Sequence, residues 1–178
     1  GGDEDAASAR LAPIIKDALR NETNARTLQQ VVTGSRADVN GKQLELITRD
    51  DNANPGDAVR LAEELVSREK VDVLTGSFLS HIGLALTDFA KQKKVFFLAG
   101  EPLTDKIVWQ NGNRYTYRLR PSTYMQVAML MPDAAALKKK RWALVYPNYE
   151  YGQSAAATLK EFLKRAQPDV EFVAEQAP

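Results

Sequence analysis

Residues 71–104, Val71-Asp72-Val73-Leu74-Thr75-Gly76-Ser77 (VDVLTGS) through FLSHIGLALTDFAKQKK (78–94) to VFFLAGEPLT (95–104), decide the fold. VDVLTG is a short β-branched and aliphatic run ending in glycine. The next segment places Ile82, Leu86 and Phe89 at helical spacing and closes on lysines. VFFLAG is a second apolar run, again ending in glycine. Two buried strands around a helix predict a βαβ unit with parallel strands. Small ligands of open α/β sheets bind at the carboxyl ends of the strands. Those ends carry Gly76-Ser77-Phe78-Leu79-Ser80 and Ala99-Gly100-Glu101-Pro102-Leu103-Thr104.

Working outward, Lys42 to Arg49 alternates as a strand after the Asn40-Gly41 turn signal. Asp50 to Gly56 is a polar loop in which Asn54 caps a helix begun by Pro55. That helix runs to Lys70 and turns Val59, Ala62, Leu65 and Val66 inward. Downstream, YTYRL (115–119) reads as a strand, and Pro121 holds Arg120 extended. Thr123 to Lys139 reads as a buried helix kinked or restarted at Pro132. RWALVY (141–146) is a strand, 147–152 a tyrosine-rich loop, 153–166 an amphipathic helix and 170–174 a last strand. Upstream, 8–20 and 23–32 read as helices, and no glycine-rich phosphate loop occurs there.

The 178 residues suffice for one domain with a core or for two incomplete lobes. A net charge of +1 gives no footprint for nucleic acid or an anionic membrane. Lys138 to Arg141 is the strong basic run, read as offsetting a helix C-terminus. The chain has no cysteine, so disulfides, thiol nucleophiles and cysteine metal sites are excluded. No run reaches transmembrane length and no signal peptide is visible.

Catalysis finds little support. The single histidine, His81, has no G-x-S-x-G elbow with which to form a triad, and one histidine with scattered carboxylates makes no metal site. Asp50 and Asp51 invite a phospho-acceptor reading, but the strands ending VLTGS and FLAGE lack the further aspartate. A capped polar loop is the simpler account. Glu101 suits a ligand amine better than general-base work, with a solvated turn residue as the alternative. Ser80 falls where a helix begins, and a hydroxyl among free N–H groups suits a carboxylate, with capping of its own helix as the alternative. Tyr149 and Tyr151, in a strand-end loop, suit the wall of a small-molecule site, with ordinary exposed loop tyrosines as the alternative.

The ordered set of motifs resembles the type I periplasmic binding proteins, and within them the leucine/isoleucine/valine-binding family of ABC importers. The set comprises Val39-Asn40-Gly41-Lys42, Asp50-Asp51, Asn54-Pro55, Val71 to Gly76, Ser80, Ala99 to Thr104, Tyr115 to Ser122, and Tyr151-Gly152-Gln153. It covers residues 39–178, and the family's first strand finds no match before Val39. The resemblance implies a Rossmann-like α/β fold, a parallel sheet with flanking helices in one or two lobes, here truncated or rearranged. It divides the chain into a helical leader (1–38), a first ligand-binding lobe (39–121) and the start of a second lobe beyond a hinge crossing (122–178).

The resemblance implies a non-enzymatic solute-binding component of an ABC transporter, located in the periplasm. It would capture a hydrophobic or aromatic amino acid or related carboxylate between two lobes and deliver it to a permease, with no metal or organic cofactor. Ser80 matches the serine that holds the ligand carboxylate. Ala99, Gly100, Glu101 and Leu103 form the second ligand loop. Thr123 lies near a further contact, and Tyr151 matches a tyrosine covering the ligand. Glu101 and Leu103 replace small residues or threonine, which points away from a plain branched-chain amino acid. The alternatives are a sensor domain of the same fold and a Rossmann-like or receiver-like enzyme. A missing central strand would expose backbone and apolar faces, giving the hypothesis of a homodimer. A monomeric mass in light scattering counts against it.

Overall fold

The computed structural model describes residues 36–39 and 42–178. The helices expected at 8–20 and 23–32, and the Asn40-Gly41 turn itself, lie outside the described residues. The chain divides into two units, 1–48 and 49–178. In the first, β1 (Arg36–Val39) and β2 (Lys42–Glu45) pair antiparallel with Val39 opposite Lys42 and Arg36 opposite Glu45. The β1 strand was not foreseen and overlaps the end of the expected helical leader. The second strand stops at Glu45, where this pairing runs out, rather than at Arg49.

In the second unit, α1 (Pro55–Ser67) starts as the sequence reading has it. Asn54 Oδ1 accepts from the Gly56 and Asp57 amides at 2.8 and 3.1 Å, with Pro55 following the cap. The preceding loop is a pair of side-chain-capped turns. Asp50 Oδ1 accepts from Asn52 N and Asp51 Oδ1 from Ala53 N, each at 2.9 Å. Both carboxylates are thus engaged in turn formation, in keeping with the capped-loop reading.

The βαβ unit follows as β3 (Val73–Gly76), α2 (Ser80–Lys93) and β4 (Phe96–Ala99). The strands are parallel, with Val73 opposite Phe96 and Gly76 opposite Ala99. The chain then makes a 3-10 turn (Asp105–Ile107) and returns as β5 (Thr116–Arg118), parallel to β4. The sheet order is β3-β4-β5, so β4 is central. Its Phe97 and Ala99 are fully buried, and Ile82, Leu86, Phe89 and Ala90 of α2 cover the same core with Ala58 and Ala62 of α1. Gly76 ends β3 at φ +117°, a backbone region that side chains rarely tolerate, and so turns the chain sharply towards α2.

Beyond β5, Ser122 Oγ accepts from Met125 N and caps α3 (Thr123–Ala136). This helix departs from expectation in two ways. It continues through Pro132, and it is not buried: Met125, Met129 and Leu130 are exposed. Among the described residues α3 packs chiefly on α4, including a Tyr124–Phe162 edge contact at 4.9 Å. The basic run also lies past the helix end rather than in its last turn. There Lys140 Nζ pairs with Asp169 at 2.7 Å, which holds the Asp169 carboxyl below its ordinary range. Finally β6 (Arg141–Val145), α4 (Glu150–Ala166) and β7 (Glu171–Gln176) form a second β–α–β element, with parallel strands and a register shift at Trp142/Ala143.

Candidate functional site

The carboxyl ends of β3, β4 and β5 converge, as parallel strands require, and the start of α4 closes over them. A cavity of about 160 Å³ lies between them. Phe78 and Ser80 come from the β3 end, Glu101 and Leu103 from the β4 end, and Arg120 from the β5 end. Tyr149 and Tyr151 come from the start of α4. The volume is close to that of a cavity, about 150 Å³, known to hold one benzene ring.

Ser80 does not cap α2. The cap position is Leu79, which offers no side-chain acceptor. Instead Ser80 Oγ, almost wholly buried, accepts from the amides of Leu103 and Thr104, each at 3.2 Å. A hydroxyl has two acceptor lone pairs and one proton. With both lone pairs engaged, what Ser80 has left to offer a ligand is its O–H, and the matching ligand atom is an acceptor oxygen.

Thr104 joins this corner to α4. Its Oγ1 donates to Glu150 Oε1 at 2.7 Å, and Lys106 Nζ bonds Glu150 Oε2 at 2.9 Å. Glu150 sits in the first turn of α4, where a carboxylate is favoured by the helix dipole. The tyrosines beside it are thereby tied to the Ser80 loop. Tyr151 lies inside this first turn and Tyr149 at the cap, so α4 starts three residues earlier than the expected Gln153 and absorbs the tyrosine loop. The reason is a close approach: a Cβ on Gly152 would stand 2.1 Å from the Pro147 carbonyl oxygen, so only glycine lets the helix begin here. The Tyr149 ring meets His81 edge-on at 5.8 Å, and burial pushes the Tyr149 hydroxyl pKa up, with Tyr151 adding to it.

Of the site residues expected from the sequence, Ser80, Glu101, Leu103 and Tyr151 meet on the cavity. Ala99 is fully buried inside β4, and neither it nor Gly100 is on the wall. Thr123 stands behind the wall. Its Oγ1 donates to Asp105 Oδ2 at 2.7 Å and its amide donates to the Leu103 carbonyl at 2.9 Å, so it braces the loop. Arg120 and Phe78 were missed. Applying the strand-end rule to β5 as well as β3 and β4 would have reached Arg120, and Phe78 is a large apolar side chain left 69% exposed at a strand end.

The loop at 101–104 also depends on Gly83 of α2. A Cβ there would stand 2.5 Å from Pro102 Cβ and 3.0 Å from Ile107 Cδ1. Gly83→Ala gains up to about 1 kcal/mol of helix preference, against about 1–3 kcal/mol for overpacking. We expect a net loss of stability. Because Pro102 sits between Glu101 and Leu103, ligand affinity should fall with it. Melting temperature and dissociation constant of the variant check both.

The described residues thus place a small, partly aromatic cavity at the carboxyl end of a parallel sheet, beside the start of a second β–α–β element. This is the arrangement of a small-molecule-binding α/β protein. A periplasmic binding protein family model matches residues 21–178, and the chain belongs to that family. The match begins ahead of Val39, where the ordered set of motifs starts. A solute-binding protein of an ABC transporter from Rhodopseudomonas palustris BisB5, solved with 3,4-dihydroxybenzoic acid, is 25% identical with a TM-score of 0.72. The match covers 99% of this chain and 44% of that one. A periplasmic binding protein from Burkholderia mallei shares the fold at 19% identity and TM-score 0.73, over 94% of this chain and 40% of that one. An ABC transporter substrate-binding protein from Desulfitobacterium hafniense, in complex with Leu, does so at 16% and 0.68, over 94% and 46%. The chain therefore spans less than half the length of these solved relatives. Their family is one of solute binding, and it implies a location outside the cytoplasm.

Proposed function

We propose that this chain is a solute-binding component of an ABC transporter, acting in the periplasm and capturing a small hydrophobic or aromatic carboxylate between two lobes. The observation that carries the reading is Ser80. Its hydroxyl is oriented by two backbone amides so that a proton remains for a ligand oxygen, beside a cavity sized for one ring. Phe78, Tyr149 and Tyr151 supply the aromatic wall, and Leu103 an aliphatic contact. The ligand of the relative at 25% identity, 3,4-dihydroxybenzoic acid, is consistent with this class.

In this reading the first lobe takes the carboxylate, and closure about the crossing at Arg120 to Ser122 shields the ligand and presents both lobes to a permease. The division into a leader (1–38), a first lobe (39–121) and the start of a second (122–178) belongs to the same proposal. Binding, rather than turnover, is the activity proposed.

A thermal-shift screen tests this with aromatic carboxylates, aromatic and branched-chain amino acids, and nucleotides. A ligand at about a hundred times its dissociation constant stabilises a fold by about 2.7 kcal/mol, a readily measured shift. A shift with carboxylates is expected. A shift with nucleotides alone overturns the reading.

A further inference from the structure

The cavity wall carries one anionic and one cationic side chain, and they are paired with each other: Arg120 Nη1 bonds Glu101 Oε2. Both are about half exposed, at 49% and 45%. The backbone of Arg120 is fixed, while among the described residues its side chain pairs with Glu101 alone. Arg118 Nε donates to the Arg120 carbonyl at 3.0 Å, and Arg118 Nη1 reaches the Thr104 carbonyl at 3.4 Å. Arg118 thus clamps the Arg120 segment to the same loop whose Thr104 amide orients Ser80.

An α-ammonium entering a partly desolvated cleft needs an anionic partner. Among the described lining residues that partner is Glu101, and Arg120 already neutralises it. A carboxylate without an ammonium has no such need. The Ser80 O–H provides one donor, and a guanidinium holding a single carboxylate oxygen keeps further N–H groups for another.

We infer that the Glu101–Arg120 pair is the charge filter of this cleft: by occupying Glu101, Arg120 makes the site prefer a ring-bearing acid lacking an α-ammonium over the matching amino acid. The inference rests on the solute-binding reading and names the ligand class within it. Glu101 is then not the ligand's amine partner but the counter-ion of a residue that favours acids.

Two probes isolate the effect, 3-phenylpropanoate and L-phenylalanine, which differ only in the α-ammonium. Their dissociation constants are measured by titration calorimetry on the full chain and on Arg120→Gln and Glu101→Gln. The expected result is a wild type that favours 3-phenylpropanoate. Arg120→Gln frees Glu101 and should cut that preference about fivefold, the upper range for a partly exposed charge pair. Glu101→Gln frees Arg120 and should raise the preference, which gives a second arm independent of how well the first variant folds. A wild type that favours phenylalanine, or a ratio equal in all three proteins, overturns the filter while leaving solute binding intact. A wild type that binds neither probe nor any other carboxylate overturns the solute-binding reading and the filter with it.

Discussion

Ser80→Ala should abolish most carboxylate binding and destabilise the ligand loop at once. In the proposed site the lost O–H is a hydrogen bond to a carboxylate, worth about 1.5–3 kcal/mol. That corresponds to about ten- to a hundredfold in the dissociation constant. The lost acceptor is separate. The amides of Leu103 and Thr104 both donate to Ser80 Oγ, and Thr104 is fully buried. An orphaned buried amide costs about 1–3 kcal/mol. The variant should therefore melt earlier without ligand, as well as bind more weakly. Calorimetric titration and ligand-free melting separate the effects. Unchanged affinity with lowered melting would assign Ser80 to the loop and remove it from the ligand.

Phe97→Ala should cost about 3–5 kcal/mol, the range for emptying a large buried aromatic site. Against a domain stability of about 5–15 kcal/mol, that removes a large share of the fold. Phe97 is fully buried on the central strand, opposite Leu74 of β3 and Thr116 of β5, so its truncation leaves a cavity inside the core. Its neighbour provides the contrast. Phe96 is only half-buried and stacks on Tyr117 at 5.3 Å, and such pairs add about 0.5–1.5 kcal/mol. Phe96→Ala should be the milder variant by urea denaturation. Equal losses at the two positions would contradict the placement of the core.

The βαβ unit was legible because its signals are local. Apolar runs ended by glycine, helical spacing of Ile82, Leu86 and Phe89, and the Asn54-Pro55 start each act over a few residues, and each appears where expected. The α3 helix was misread because apolar composition reports what a segment can bury, not what is there to cover it. Met129 and Leu130 belong to a helix whose chief neighbour is α4, and their face lies at the surface of the described residues. The start of α4 was placed late for a related reason. A helix beginning at Glu150 depends on Gly152 passing close to the Pro147 carbonyl, and no propensity encodes that approach.

For the site, local patterning pointed to the strand ends that line the cavity. It marked Ser80, Glu101 and Leu103 as lining residues, because a parallel sheet must bring the carboxyl ends of neighbouring strands together. Long-range packing set the partners of each. Ser80 faces two loop amides rather than its own helix, Thr123 braces Leu103 from behind, and Glu101 is held by Arg120 from a third strand. These partners lie 19 to 24 residues apart in sequence, and only packing sets the angle and distance at which a hydrogen bond or an ion pair forms.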